Sequence, residues 1–216
     1  MNSTIISTLI ALLLTALPVP IAGAQTASAG LPTITFTKEF PGSNPDYYSI
    51  ALRRNGDALY RFAPDEEPTL FQVSQESADQ IFEIAQRLNH FQGTMLESKQ
   101  EVANMGKKTF QYENGDERSV VSYNHTVNAD ALALAALFER LSATQKHRNR
   151  IEYLLRFDKL GIVKELLQVE MDLNQGRLLE PALLLPVLEK VQANQALVNV
   201  AQQRAVGIIA KIQSSN

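Results

Sequence analysis

The sequence predicts an α+β fold: one antiparallel sheet built from two hairpin–helix units with both helices on one face, followed by an all-α bundle of short helices. Three observations predict it. Apolar residues alternate with polar ones in several short runs between Thr33 and Tyr123, the period of half-buried strands. Two Asn-Gly-Asp tripeptides, Asn55 to Asp57 and Asn114 to Asp116, sit between such runs as hairpin turns do. From Asn128 onward the period changes to that of helices, and no further strand pattern follows.

Met1 to Ala24 reads as a signal peptide. Ile5 to Leu17 is an apolar run, Pro18 and Pro20 follow it, and Ala22-Gly23-Ala24 supplies the small residues of a cleavage site before Gln25. Gln25 to Pro32 is a flexible leader. The remaining chain divides into a sheet domain, 33–145, and a C-terminal helical region, 146–216. The expected location is therefore periplasmic or extracellular, with no integral membrane segment after cleavage.

Ile34, Phe36 and Phe40 give the first strand one apolar face, with threonines on the other. Pro41 to Asp46 is dense turn chemistry and predicts a mobile polar loop. Tyr48, Ile50 and Leu52 then pair with Ala58, Tyr60 and Phe62 across a type I′ turn at Asn55-Gly56. After a short strand at Thr69 to Val73, Ser74 caps a helix whose buried face is Ala78, Ile81, Phe82, Ala85 and Leu88. Gln92 to Gly106 has no period and reads as loop. The second hairpin sets Phe110 and Tyr112 facing Val121 and Tyr123, and its helix repeats the first helix's apolar face at Leu134, Leu137, Phe138 and Leu141, offset by 56 residues.

That helix extends from Asn128 to Phe157, with a second stripe at Ile151, Leu154 and Leu155. Its middle, Thr144 to Arg150, is polar throughout and is expected to meet water or a partner. Beyond it, Asp158 caps a helix in which Val163, Leu166, Leu167, Met171 and Leu173 predict more than one covered face. Asn174-Gln175-Gly176 ends it, Pro181 and Pro186 start the next helical segment, and Asn194 opens the last.

Composition narrows the function. A chain with 45% hydrophobic and 20% charged residues is globular rather than disordered. Without cysteine it has no disulfide, thiolate metal site or catalytic thiol. Residues 25–128 hold 9 basic against 14 acidic side chains and 129–216 hold 11 against 9, so no basic footprint for nucleic acid is present. His90, His125 and His147 belong to no metal or hydrolase motif, and the acidic groups Asp65-Glu66-Glu67 and Glu113, Asp116 and Glu117 lack calcium-loop spacing. No cofactor and no catalytic residue is assigned. Asn124-His125-Thr126 fits a glycosylation acceptor.

Two features suggest contact with a partner. Tyr47 and Tyr48 place aromatic rings beside the polar loop. Lys146, Arg148 and Arg150, with His147, make a basic collar in mid-helix suited to an acidic protein or anionic lipid heads. The opening pattern of Gly42, Pro45 and Tyr48, then Asn55-Gly56 and Tyr60, resembles a family of exported bacterial domains of unknown function over about Ile34 to Leu141. That loop often carries cysteines in the family and carries none here. Leu184 to Val187 and Asn199 to Ala205 look like the helical tails of uncharacterised secreted bacterial proteins. The resemblance implies export and transfers no catalytic residue. The expectation is a non-catalytic binding or structural module of the cell envelope with a protein partner; the alternative is an enzyme or inhibitor acting on envelope hydrolases through the Pro41 to Tyr48 loop.

Overall fold

The computed structural model describes residues 30–214. The expected signal peptide, its cleavage site and Gln25 to Ala29 lie outside the described residues. Six strands, β1 (Thr33–Glu39), β2 (Tyr47–Arg53), β3 (Asp57–Arg61), β4 (Thr69–Gln72), β5 (Lys107–Asn114) and β6 (Glu117–Tyr123), form one antiparallel sheet in the order β4-β3-β2-β1-β5-β6. The fold is α+β, as the alternation predicts. β1 lies in the middle because it pairs on both sides: Phe36 opposes Ile50 of β2 and Phe110 of β5.

Every strand directs its alternate residues to one face, where Ile34, Phe36, Ile50, Leu52, Tyr60 and Phe110 are buried together with the inner sides of α1 (Gln75–Arg87) and α2 (Ala129–Phe157). The eight residues that match at the 56-residue offset, Ala78 through Ala85 and Leu134 through Leu141, are all buried there. Thr33, Thr35, Thr37 and Ser49 line the other, half-open face. Ser74 Oγ accepts the Ser77 N–H and Asn128 Oδ1 accepts the Ala131 N–H, so each helix begins on a side-chain cap.

The hairpin turns differ from the type I′ expectation. Asn55 does not adopt positive φ; only Gly56 does, at +87°, and the Gly56 N–H bonds to the Arg53 carbonyl at 2.9 Å, a three-residue loop closed by a left-handed glycine. A Cβ on Gly56 would lie 2.4 Å from the Val73 carbonyl oxygen, so the backbone of the β4 end occupies the space a side chain needs. The second hairpin is a two-residue loop, Gly115-Asp116, with Asn114 still in β5 opposite Glu117. Its register sets Phe110 opposite Val121, but Tyr112 opposite Ser119 and Tyr123 opposite Lys108.

After α1 the chain makes a left-handed turn through Asn89, His90 and Phe91, with φ of 53°, 47° and 70°. Left-handed L-residues cost roughly 1–2 kcal/mol each. Aromatic contacts offset that cost: Phe91 is buried with its ring 5.3 Å from Phe110, and His90 stacks on Tyr112 at 4.3 Å.

The C-terminal helices are α3 (Ile162–Asn174), α4 (Leu185–Ala193) and α5 (Asn199–Ser214). Asn194 ends α4 rather than opening α5; its Oδ1 accepts the Ala196 N–H in the connecting turn. Ile151, Leu154, Leu166, Val187, Leu188 and Ile208 form a second core. α2 therefore serves both cores: its first half packs on the sheet and its last turns pack on the tail. Among the described residues, no helix is long and apolar enough to cross a membrane.

One sequence expectation about α3 is corrected. Leu166 is buried, but Leu167 and Met171 are 46% and 42% exposed, because α2 and α5 cover only one side of the helix. Phe62 likewise leaves the sheet core and is 45% exposed just past the end of β3.

Candidate functional site

A cleft of about 780 Å³ opens where the sheet half meets the helical tail. Its walls come from four segments far apart in sequence: Asn44 and Pro45 of the β1–β2 loop, Tyr60 and Phe62 at the end of β3, one side of α2 that includes Lys146, His147, Arg150 and Tyr153, and Glu165, Gln168 and Asp172 on α3. The β1–β2 loop is hydrogen-bonded within itself. The Phe40 N–H bonds to the Asp46 carbonyl at 2.7 Å, and Ser43 Oγ lies within 2.7 Å of the Phe40 and Pro45 carbonyls, so the loop is closed on itself.

The polar middle of α2 does not simply face water. Thr144 and Gln145 are fully buried and His147 nearly so. Thr144 Oγ1 donates to the Leu179 carbonyl at 2.6 Å, and the Arg140 guanidinium to that of Leu178 at 3.2 Å, which fastens the segment before α4 along α2. His147 Nδ1 lies 2.7 Å from Glu165 Oε1 and Nε2 lies 2.8 Å from Asp172 Oδ2. With a carboxylate on each side, both ring nitrogens donate and the ring is held as imidazolium. Burial opposes the charge, but the hydrogen bonds to Glu165 and Asp172 outweigh it and raise the His147 pKa above the ordinary imidazole value. Burial would likewise raise Asp172; His147 and Arg177 overcome it and lower the carboxyl pKa. Arg177 Nε donates to Asp172 Oδ1 at 2.9 Å and Gln168 Nε2 to the same oxygen at 3.2 Å.

This trio is a clamp rather than a base. Each nitrogen of His147 is already committed to a carboxylate, so neither offers a lone pair for proton abstraction or for a metal. Among the described residues, no group of three or more His, Cys, Asp or Glu side chains is placed to hold a metal ion.

Gln145 is a different case. Its amide nitrogen and oxygen are both buried with no hydrogen-bond partner among the described residues. Leaving buried polar groups unmade costs about 1–3 kcal/mol each. Gln145→Met, which keeps the unbranched shape, is expected to stabilise the protein by about 1–2 kcal/mol, read as a higher denaturant midpoint with unchanged slope. A lower midpoint would mean that the amide is satisfied in solution.

The helical spacing sorts the predicted contact residues. Lys146 and Arg150, four apart, share the cleft-facing side of α2; Arg148, halfway round the helix, points elsewhere and pairs with Glu152 at 3.8 Å. Lys146 Nζ donates to the Asn44 carbonyl at 3.0 Å, so the collar reaches the loop. The Arg150 guanidinium lies 5.2 Å from the centre of the Tyr153 ring. Neither tyrosine beside the loop lines the cleft. Tyr48 is buried between Phe36 and Tyr60, because β2 is an inner strand and this residue points to the helix side; burial also holds its phenol well above the ordinary value. Tyr47 points to the opposite sheet face, across from Glu39.

The sequence marks His147 only as a member of the basic collar, not as the buried partner of two carboxylates, and it does not mark Phe62, Tyr153, Glu165 or Asp172 as site residues. The i, i+4, i+7 spacing of Lys146, Arg150 and Tyr153 carries the one signal that could have placed Tyr153 here.

The other histidines stand outside the cleft. Ser98 Oγ lies 2.7 Å from His125 Nδ1, a serine–histidine distance suited to nucleophile activation. The Ser98 N–H also bonds to the His125 carbonyl, and Glu97 accepts the Asn124 and His125 N–H groups, so the pair pins the 92–106 loop to the end of β6. Half-buried Asn124 uses its own amide on Ala103 and Met105, and Thr126 of the same pattern is buried.

No protein-family model matches the chain, and no curated protein matches it.

Proposed function

We propose that the protein is an exported binding module of the bacterial cell envelope, and that its cleft takes up a segment of a protein partner bearing an acidic side chain. One observation carries this reading. Lys146 and Arg150 stand side by side on an aromatic-walled cleft, and among the described residues neither forms an ion pair. The carboxylates opposite, Glu165 and Asp172, are already bonded to His147, and Arg177 also pairs with Asp172, so an incoming anion meets two unbalanced cations. Phe62 and Tyr153, both about half exposed, supply the apolar surface that a bound segment would cover. Export rests on the apolar run and small-residue site near the N-terminus and on the resemblance over Ile34 to Leu141.

The test is affinity capture from envelope extracts with protein beginning at Gln25, beside Lys146→Glu/Arg150→Glu and Arg148→Ala. A partner retained by the wild type and by Arg148→Ala, and bound about tenfold or more weakly by the double variant once purified, is the expected result. Equal retention by all three proteins would overturn the assignment of the cleft.

A further inference from the structure

We infer that the corner between α2 and α3 is a docking surface for an anionic lipid bilayer, with Phe157 and Leu160 as its apolar tip. The inference stands on the tip residues Arg156 to Lys164, outside the cleft, with Tyr153 bordering both surfaces, and goes beyond the proposed partner. Phe157 is 72% exposed and Leu160 86%, although both are large and apolar. They lie in an unbroken exposed run, Arg156 to Leu160, where the chain leaves α2 and turns through a short 3₁₀ segment into α3. The Phe157 ring packs at 5.0 Å on Tyr153, which is half exposed, so the aromatic surface continues back along α2. Along α3, Lys164, Leu167 and Met171 follow at helical spacing, and the two apolar members are left uncovered by α2 and α5.

Charge decides what covers such a surface. From Lys146 to Lys164 the chain holds six Lys and Arg side chains against two carboxylates, on a protein whose net charge is −3. Of these, Arg156, Lys159 and Lys164 are exposed and form no ion pair among the described residues; the nearby Asp158 carboxylate is used on the Gly161 N–H. Apolar side chains at a protruding tip, flanked by cations on long flexible stems, match the two layers of an anionic membrane surface: acyl boundary for Phe157 and Leu160, headgroup phosphates for the lysines and arginine. A second copy of this chain fits less well. A two-fold contact through the tip would set the same unpaired cations against one another.

Protein beginning at Gln25 is to be sedimented with vesicles of equal parts phosphatidylglycerol and phosphatidylcholine, and with phosphatidylcholine alone. Each cation near such a surface is worth about fivefold in partitioning, so Arg156→Ala/Lys159→Ala/Lys164→Ala is expected to bind the anionic vesicles about a hundredfold more weakly. Phe157→Ser/Leu160→Ser is expected to lose about tenfold or more, and raised salt to release the wild type. Because these side chains are exposed, the variants keep the wild-type unfolding midpoint. Phe157→Trp gives a second reading: a blue-shifted emission on the anionic vesicles alone. No binding to the anionic vesicles, equal binding to both lipids, an unshifted tryptophan, or concentration-dependent dimerisation lost with Phe157→Ser/Leu160→Ser would each overturn the inference. The arms are separate from the cleft test, since none of these variants alters Lys146 or Arg150.

Discussion

His147→Ala is expected to lower the unfolding free energy by about 3–5 kcal/mol, the cost of breaking a buried ion pair by removing one partner. The size follows from what stays behind. Glu165 and Asp172 are 18% and 13% exposed and would face the cavity without their shared donor, with Arg177 on one oxygen of Asp172 as the remaining cation of the group. The same site sets a pH dependence with a definite sign. His147 has a raised pKa in the folded protein, so its contribution is fully present below the ordinary imidazole value of about 6.5 and is lost as pH rises through the folded value. Asp172 has a lowered pKa, so its contribution is present above the ordinary carboxylate range and is lost as pH falls through the folded value. Stability should therefore be greatest between those two ordinary values. Urea unfolding at about pH 6 and about pH 8.5 is expected to show a loss for the wild type that is absent from His147→Ala. A slope that survives the substitution would assign the alkaline loss to another group.

Phe138→Ala is the second large effect, about 3–5 kcal/mol from lost burial and the cavity left behind. Phe138 is fully buried, stacked on Phe36 at 5.2 Å and tilted against Phe110 at 6.4 Å, and so joins α2 to the neighbouring strands β1 and β5. Ile151→Ala, thirteen positions along the same helix, opens the other core at a cost of about 2–5 kcal/mol. Because α2 is one continuous helix of 29 residues serving both cores, each substitution is expected to move a single cooperative transition. The check is calorimetry of both variants. Two resolved transitions in Ile151→Ala would show that the tail unfolds apart from the sheet.

Most of the architecture was legible in the sequence because it depends on local period. Ile34 and Phe36, Tyr48 and Ile50, and Phe110 and Tyr112 alternate, and a residue that alternates with polar neighbours goes to one face whatever lies beyond. The two Asn-Gly sites marked both hairpins, though not the turn geometry, since only the glycine of each pair takes up positive φ. Ser74 and Asn128 marked both helix starts by the chemistry of capping.

Half of the candidate site was legible as well. Lys146 and Arg150 stood out as unbalanced charge, and helical geometry alone separates them from Arg148. Their neighbours did not. His147 looked like one more solvated residue of a polar stretch, because the carboxylates that bury it arrive from positions 18 and 25 residues later. Tyr48 looked available beside a loop, because nothing local says that β2 lies inside the sheet.

By itself, then, the sequence determined which residues share a face, where strands give way to helices, and that the chain carries its positive charge around α2. Only the tertiary structure decided which of those faces are covered. It buried the polar middle of α2, exposed Leu167 and Met171, and brought Asn44, Phe62, Tyr153 and Asp172 to one cleft. The physical reason is that periodicity is a property of one element, whereas burial and pairing depend on the elements packed against it.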